Sequence, residues 1–139
     1  MNSEGFKCWW KKLCCSSLFF DGSSKGNLGM EGVRGVYFNS EGIKLKEYAW
    51  GISKKTNNGV EWLALIKGLE LARKEGIEEL AAFGDSCMVT GKARNLVRTR
   101  KSLITKTHQL LKCVASEFKA INFLHILREN NSHELVSFT

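Results

Sequence analysis

Short apolar runs broken by glycine and asparagine turns fill the first third of the chain, and broad apolar stripes at helical spacing fill most of the rest. Leu18-Phe19-Phe20 leads into Asp21-Gly22-Ser23-Ser24, which predicts a strand ending in a turn. Glycines at 26, 29, 32 and 35 lead towards a second strand near Val33 to Phe38. Ser40-Glu41-Gly42 then makes a hairpin turn, and a third strand follows at about Ile43 to Ile52, closed by the polar loop Ser53 to Gly59.

The strongest helical signal comes next, with Val60, Leu63, Ala64, Leu65, Leu69, Leu71 and Ala72 on one stripe and Gly76 as its stop. Asn58 followed three residues later by Glu61 has the spacing of a capping box at the start of that helix. Leu80 to Phe83 suits a buried strand, and Gly84-Asp85-Ser86 turns it into a helical region carrying Val89, Ala93, Leu96 and Val97 on one side. A helix over Leu103 to Phe118, a continuous apolar strand over Ile121 to Leu127 and a short final helix over Asn131 to Phe138 complete the series. Three hairpin-joined strands followed by alternating helices and strands imply an α/β fold with one mixed sheet.

The chain has 139 residues, the size of one domain, here expected over 18–139 after an extension at 1–17 with little order of its own. Its net charge is +7, and residues 86–120 alone hold eight lysines and arginines against the single acid Glu117. Such a local excess suits a polyanion-binding face, and it equally suits a solvated helix surface. The five cysteines lack the paired spacing of a zinc module and form an odd set, so a disulfide framework is not supported and an intracellular setting, nuclear or cytoplasmic, is expected. Apolar runs are too short for a signal sequence or a membrane span, which excludes secretion and membrane insertion from the expectation.

Three acids stand at the ends of expected elements: Asp21 after the first strand, Glu61 in the first turn of the main helix, and Asp85 after the fourth strand. Carboxylates gathered without basic partners repel one another, and a hard divalent cation is what stabilises such a group. Each acid alone has a structural explanation: a turn at Asp21, the back-reaching half of a capping box at Glu61, an N-cap at Asp85 or Ser86.

The neighbourhoods of these acids add to the argument. Asp21-Gly22-Ser23-Ser24-Lys25-Gly26-Asn27, the stretch from Thr56 to Leu65, Asp85-Ser86, and the stretch from His125 to Asn131 occur in the order of the signature blocks of type 1 ribonuclease H. The chain resembles that family from residue 18 to about 137, and within it the domains of plant proteins related to retroelement reverse transcriptases. The resemblance implies a mixed five-stranded sheet, its first three strands antiparallel, with helices on both faces and a shortened C-terminal helix. It also implies that Asp21, Glu61 and Asp85 are metal-binding catalytic carboxylates, with Mg²⁺ as the usual ion and Mn²⁺ as a substitute. The family's fourth acid does not fall in register: counting from Asn131 reaches Leu135, whereas counting from Asn130 reaches Glu134, the candidate here. Leu28 and Met30 stand where the family usually has proline, a residue this chain lacks altogether.

By the same resemblance, Asn57 and Asn58 are expected to hydrogen-bond groove edges and sugars, and Gly26, Asn27 and Thr56 to form part of a DNA-strand phosphate pocket. Arg94, Arg98 and Lys101 share one helical face and would follow the duplex backbone without reading sequence. His125, in an apolar strand, is expected in the core, and His108 on a helix surface. The expected activity is metal-dependent cleavage of the RNA strand of an RNA–DNA hybrid by a monomer that uses no small-molecule cofactor. Two alternatives stand beside it: a retroelement-derived nucleic-acid-binding domain with impaired catalysis, and a protein-interaction module with an incidental basic face.

Overall fold

In the computed structural model, residues 15–23, 31–52, 57–98 and 105–131 are described. The first strand, β1 (Ser16–Ser23), begins inside the expected extension and continues through Asp21, so that acid lies within a strand and not in a turn after it. Strands β2 (Glu31–Phe38) and β3 (Lys44–Ile52) follow, joined by the anticipated hairpin. Asn39 organises the turn: its side-chain oxygen accepts from the N–H groups of Glu41 and Ile43, and Gly42 supplies the positive φ of 81°.

The main helix, α1 (Asn57–Lys74), starts one residue before Asn58, which therefore sits in the first turn and is not the cap. Gly76 ends it as predicted, with a φ of 83° and backbone N–H groups of Gly76 and Ile77 returning to the carbonyls of Arg73 and Ala72. Strand β4 (Glu79–Gly84) leads to α2 (Cys87–Arg98), then α3 (Lys106–Ala115) and β5 (Ala120–His125). Helix α3 starts later than the expected Leu103, because Thr105 has an extended backbone and its hydroxyl accepts from the His108 N–H. The expected C-terminal helix has only its beginning among the described residues, a helical turn at 128–131.

The sheet order is β3-β2-β1-β4-β5, with the first three strands antiparallel and β1, β4 and β5 parallel. Strand β5 is thus an edge. It does not have the continuous burial expected of it: Phe123 is buried, while Asn122 and His125 are exposed. An edge strand has a neighbour on one side only, and apolar composition cannot reveal that.

All three described helices share one core with a single face of the sheet, where Leu18, Phe20, Leu65, Leu69, Val89 and Leu111 are fully buried. The opposite face holds a smaller cluster in which Phe19 stacks on Phe83 with ring centroids 4.9 Å apart, beside Val36, Ala81 and Ile126. Helices on both faces were expected; α1, α2 and α3 lie on the first, and the helical turn at 128–131 follows Ile126 of the opposite cluster. Tyr48 crosses the main core opposite Gly35, in a space that side chains at Gly35 or Gly68 would fill, and its hydroxyl donates to the Ala64 carbonyl at 2.7 Å. Among the described residues no helix is long and apolar enough to cross a membrane.

Candidate functional site

Strand β1 occupies the middle of the sheet, paired antiparallel to β2 and parallel to β4, so chain direction reverses between its two neighbours. In the β1–β4 pairing Phe19 lies opposite Phe83, and continuing that register brings Asp21 beside Asp85 at the carboxyl ends of both strands. Open α/β sheets form crevices at such positions. Glu61 was expected in the first turn of the main helix; because α1 begins at Asn57 it lies just past that turn, where the helix passes close over β1. The crossing is close because Gly22 has no side chain: a Cβ there would stand 2.4 Å from the Val60 carbonyl carbon and 2.5 Å from the Glu61 nitrogen.

The result is one cluster in which Asp21, Glu61 and Asp85 each offer a carboxylate oxygen within 4.8 Å of the others. Glu61 does not act as the back-reaching half of a capping box; its Oε1 instead accepts from the Gly22 N–H at 3.2 Å, across 39 residues of chain. Nor is Asp85 a cap. Ser86 takes that task for α2, its hydroxyl accepting from the Val89 N–H, which leaves the Asp85 carboxylate free of helix duty.

Glu61 is 8% exposed, and no donor reaches its Oε2. Burial first, then the adjacent Asp21 carboxylate, then the charge of Asp85 hold its carboxyl far above the ordinary range, against the lowering effect of the Gly22 N–H. A buried oxygen without a donor, surrounded by two further carboxylates, suits an all-oxygen site for a hard divalent cation. These residues therefore fit Mg²⁺ or Mn²⁺, and the donor set offers nothing a softer metal would prefer.

Four participants were not foreseen. Asn131 is fully buried, and its amide nitrogen donates to the Phe20 carbonyl at 3.0 Å and to Asp85 Oδ2 at 3.3 Å, tying the end of β5's following turn to the site. Gly22 supplies the N–H and the close approach described above. Arg34, cross-strand from Asp21, places Nη2 3.5 Å from Asp21 Oδ2, and Arg128 Nε lies 4.0 Å from Asp85 Oδ2. Two of the three acids thus have an arginine at the rim. The His-to-Asn stretch of the last block was the available signal for Asn131, whereas nothing local marks Arg34.

The remaining site expectations divide. Arg94 directs its guanidinium inward, where Nε and Nη2 both donate to the Phe123 carbonyl at 3.2 and 2.8 Å and fasten α2 to the edge strand. Arg98 is exposed at the end of α2. Asn57 and Asn58 lie in the first turn of α1 by their backbone. Gly26, Asn27, Thr56, Lys101 and Glu134 lie outside the described residues. His125 is exposed and not in the core, and His108 packs edge-on against Trp62 with ring centroids 5.2 Å apart.

A family model described as reverse transcriptase-like matches residues 19–134. The chain belongs to that family, and it is a ribonuclease H-like domain in fold. The bifunctional protein Rv2228c of Mycobacterium tuberculosis is 31% identical over 114 residues, which cover 81% of this chain and 31% of the relative. The chain thus spans about a third of that relative's length. The solved N-terminal ribonuclease H domain of Rv2228c superposes with a TM-score of 0.75 at 29% identity, covering 88% of this chain and 90% of that one. Ribonuclease H1 of the halophilic archaeon Halobacterium salinarum gives a TM-score of 0.74 at 27% identity, covering 86% and 92%. LC11-RNase H1, solved in complex with an RNA/DNA hybrid, gives 0.72 at 25% identity, covering 89% and 95%.

Proposed function

We propose that this domain is a metal-dependent endoribonuclease that hydrolyses the RNA strand of RNA–DNA hybrids. The observation that carries this reading is the meeting of Asp21, Glu61 and Asp85 within 4.8 Å, with the buried Glu61 Oε2 unpartnered. The likeness to LC11-RNase H1, whose structure holds a hybrid, supports the substrate class.

Asp21, Glu61 and Asp85, with Glu134 as fourth candidate, would hold Mg²⁺ or Mn²⁺. The chemistry such ions would supply is activation of a water and charge stabilisation at both oxygens of an in-line phosphodiester displacement. The chain's own contribution is positional. Asp21 would be shared between the ions, the Gly22 N–H and the close passage of α1 over β1 aim Glu61, and Asn131 holds Asp85 by its Oδ2. Asn57 and Asn58, at the start of α1 beside the cluster, are suited to the hybrid's groove edges and sugars, where a 2′-hydroxyl separates RNA from DNA. Gly26, Asn27 and Thr56 would receive the DNA-strand phosphate. Arg98 and Lys101 follow the backbone, with Arg94 adding less because two of its N–H groups are already used.

Replacing Asp85 by Asn keeps the side-chain shape and an oxygen for Asn131 but removes the charge. The expected outcome is loss of hybrid cleavage by at least about a hundredfold, on the scale of removing one electrostatic catalytic group, with hybrid affinity retained. A gel assay of a labelled hybrid with Mg²⁺ and with EDTA, beside a binding measurement, checks both halves. An Asp85→Asn variant that cleaves like the parent sinks the site assignment. Salt-sensitive binding by the parent without turnover sinks the nuclease reading in favour of a catalytically impaired nucleic-acid-binding domain.

A further inference from the structure

Asp21 and Asp85 each face an arginine, and the two arginines differ in how firmly they are held. Arg34 sits directly opposite Asp21 in the β1–β2 ladder, so strand pairing fixes its starting point, and its Nη2 is 3.5 Å from Asp21 Oδ2. Its side chain is 39% exposed and that of Asp21 only 19%. Arg128 follows β5, is 76% exposed and stands 4.0 Å from Asp85, in water that screens it. Glu61 is paired with no cation among the described residues and leaves Oε2 without a donor.

We infer that Arg34 is a built-in competitor for the divalent cation at Asp21, released when a polyanion engages its guanidinium. The inference rests on the metal site of the proposed nuclease, but not on cleavage.

The physical reason is that Asp21 Oδ2 cannot fully serve two cations. A metal ion sharing Asp21 meets the repulsion of a fixed positive charge a few ångströms away, and it binds less tightly than three carboxylates alone would allow. Moving the guanidinium away removes that repulsion. Arg34 is exposed enough to swing outward, and a guanidinium pairs with a phosphate by two parallel N–H···O bonds at least as well as with one oxygen of a carboxylate. A nucleic-acid backbone beside the cluster would therefore draw Arg34 off Asp21. Metal binding and nucleic-acid binding then favour one another, as linkage requires. Metal loads most readily where substrate is present.

Mn²⁺ affinity, read by electron paramagnetic resonance or calorimetry, tests this without any turnover. For Arg34→Met, which keeps the stem and loses the charge, Mn²⁺ should bind roughly three- to tenfold more tightly than to the parent. Arg34→Lys should stay within about twofold of the parent, because the charge remains. Adding a short DNA duplex should tighten Mn²⁺ binding to the parent by a similar factor and change Arg34→Met much less. Arg34→Gln repeats the charge removal should the Met variant fold poorly, judged by circular dichroism. Unchanged or weaker Mn²⁺ binding in the folded charge-removed variant overturns the inference. Asp21→Asn run in parallel separates two failures. If it weakens Mn²⁺ binding while Arg34 variants do not change it, the Arg34 inference alone is overturned; if neither changes it, the metal site falls and takes the inference with it.

Discussion

Glu61 carries a large electrostatic cost, since its carboxyl is buried beside two others and, among the described residues, accepts only from the Gly22 N–H. In the folded, metal-free protein the protonated form is favoured, so the folded pKa lies above the ordinary value of 4.5. Its contribution to stability is complete below that ordinary value and is lost as pH rises through the elevated one. Metal-free protein in EDTA should therefore melt at a lower temperature at about pH 8 than at about pH 6. Glu61→Gln, neutral at every pH and still able to accept from Gly22, should flatten that fall, and Mg²⁺ should reverse it only in the parent. A thermal melt series in both buffers would sink the idea if the two proteins showed the same pH slope. Asp21, Glu61 and Asp85 were legible in sequence because each sits in a distinctive local block. Arg34 and Asn131 were not, since Arg34 acquires its role from strand register and Asn131 bonds a carbonyl 111 residues away.

At the scale of elements, glycines decide how closely β1, β3 and α1 approach, and two helical glycines have opposite tasks. Gly68 in α1 faces Tyr48 and Leu18: a Cβ there would stand 2.5 Å from the Tyr48 hydroxyl and 2.7 Å from a Leu18 methyl. Both neighbours are buried, and the hydroxyl is tied to Ala64, so neither moves aside cheaply. Gly68→Ala should destabilise by about 1–3 kcal/mol, the overpacking cost outweighing the helix propensity gained. Gly91 in α2 has nothing within 4 Å of where its Cβ would be. Gly91→Ala should stabilise by about 0.5–1 kcal/mol. Urea titrations of the two variants check the pair, and a common sign would contradict the packing described here. Element order and type followed from apolar periodicity. The boundaries moved where side chains acted beyond it: Thr105 starts α3 by capping, and β1 runs on through Asp21 because β2 pairs with it as far as Ser23.

For the molecule as a whole, charge is unevenly placed: three acids meet in one cluster, while the basic excess lies in residues 86–120. Two of those basic residues show that a charge count overstates a binding face. Arg94 is spent on the Phe123 carbonyl, and Arg98, four residues on, is free at the surface. If Arg98 contacts a phosphate, Arg98→Ala should weaken hybrid binding without altering sequence preference and reduce the slope of log affinity against log salt by about one. Fluorescence anisotropy over a range of salt concentrations measures that slope, and an unchanged slope would remove Arg98 from the interface. Arg94→Ala should act differently, lowering thermal stability by loosening α2 from the edge of the sheet.

The amino-acid sequence by itself determined the kinds of elements, their order, and the three acids with their local blocks. Those properties depend on side-chain period and turn chemistry within a few residues. Only the tertiary structure decided that β5 is a half-exposed edge, that Gly22 lets α1 bring Glu61 onto β1, that Asn131 holds Asp85, and that Arg34 stands against Asp21. Each of these is a contact between distant parts of the chain, fixed by strand register and helix approach, and no local pattern of residues encodes it.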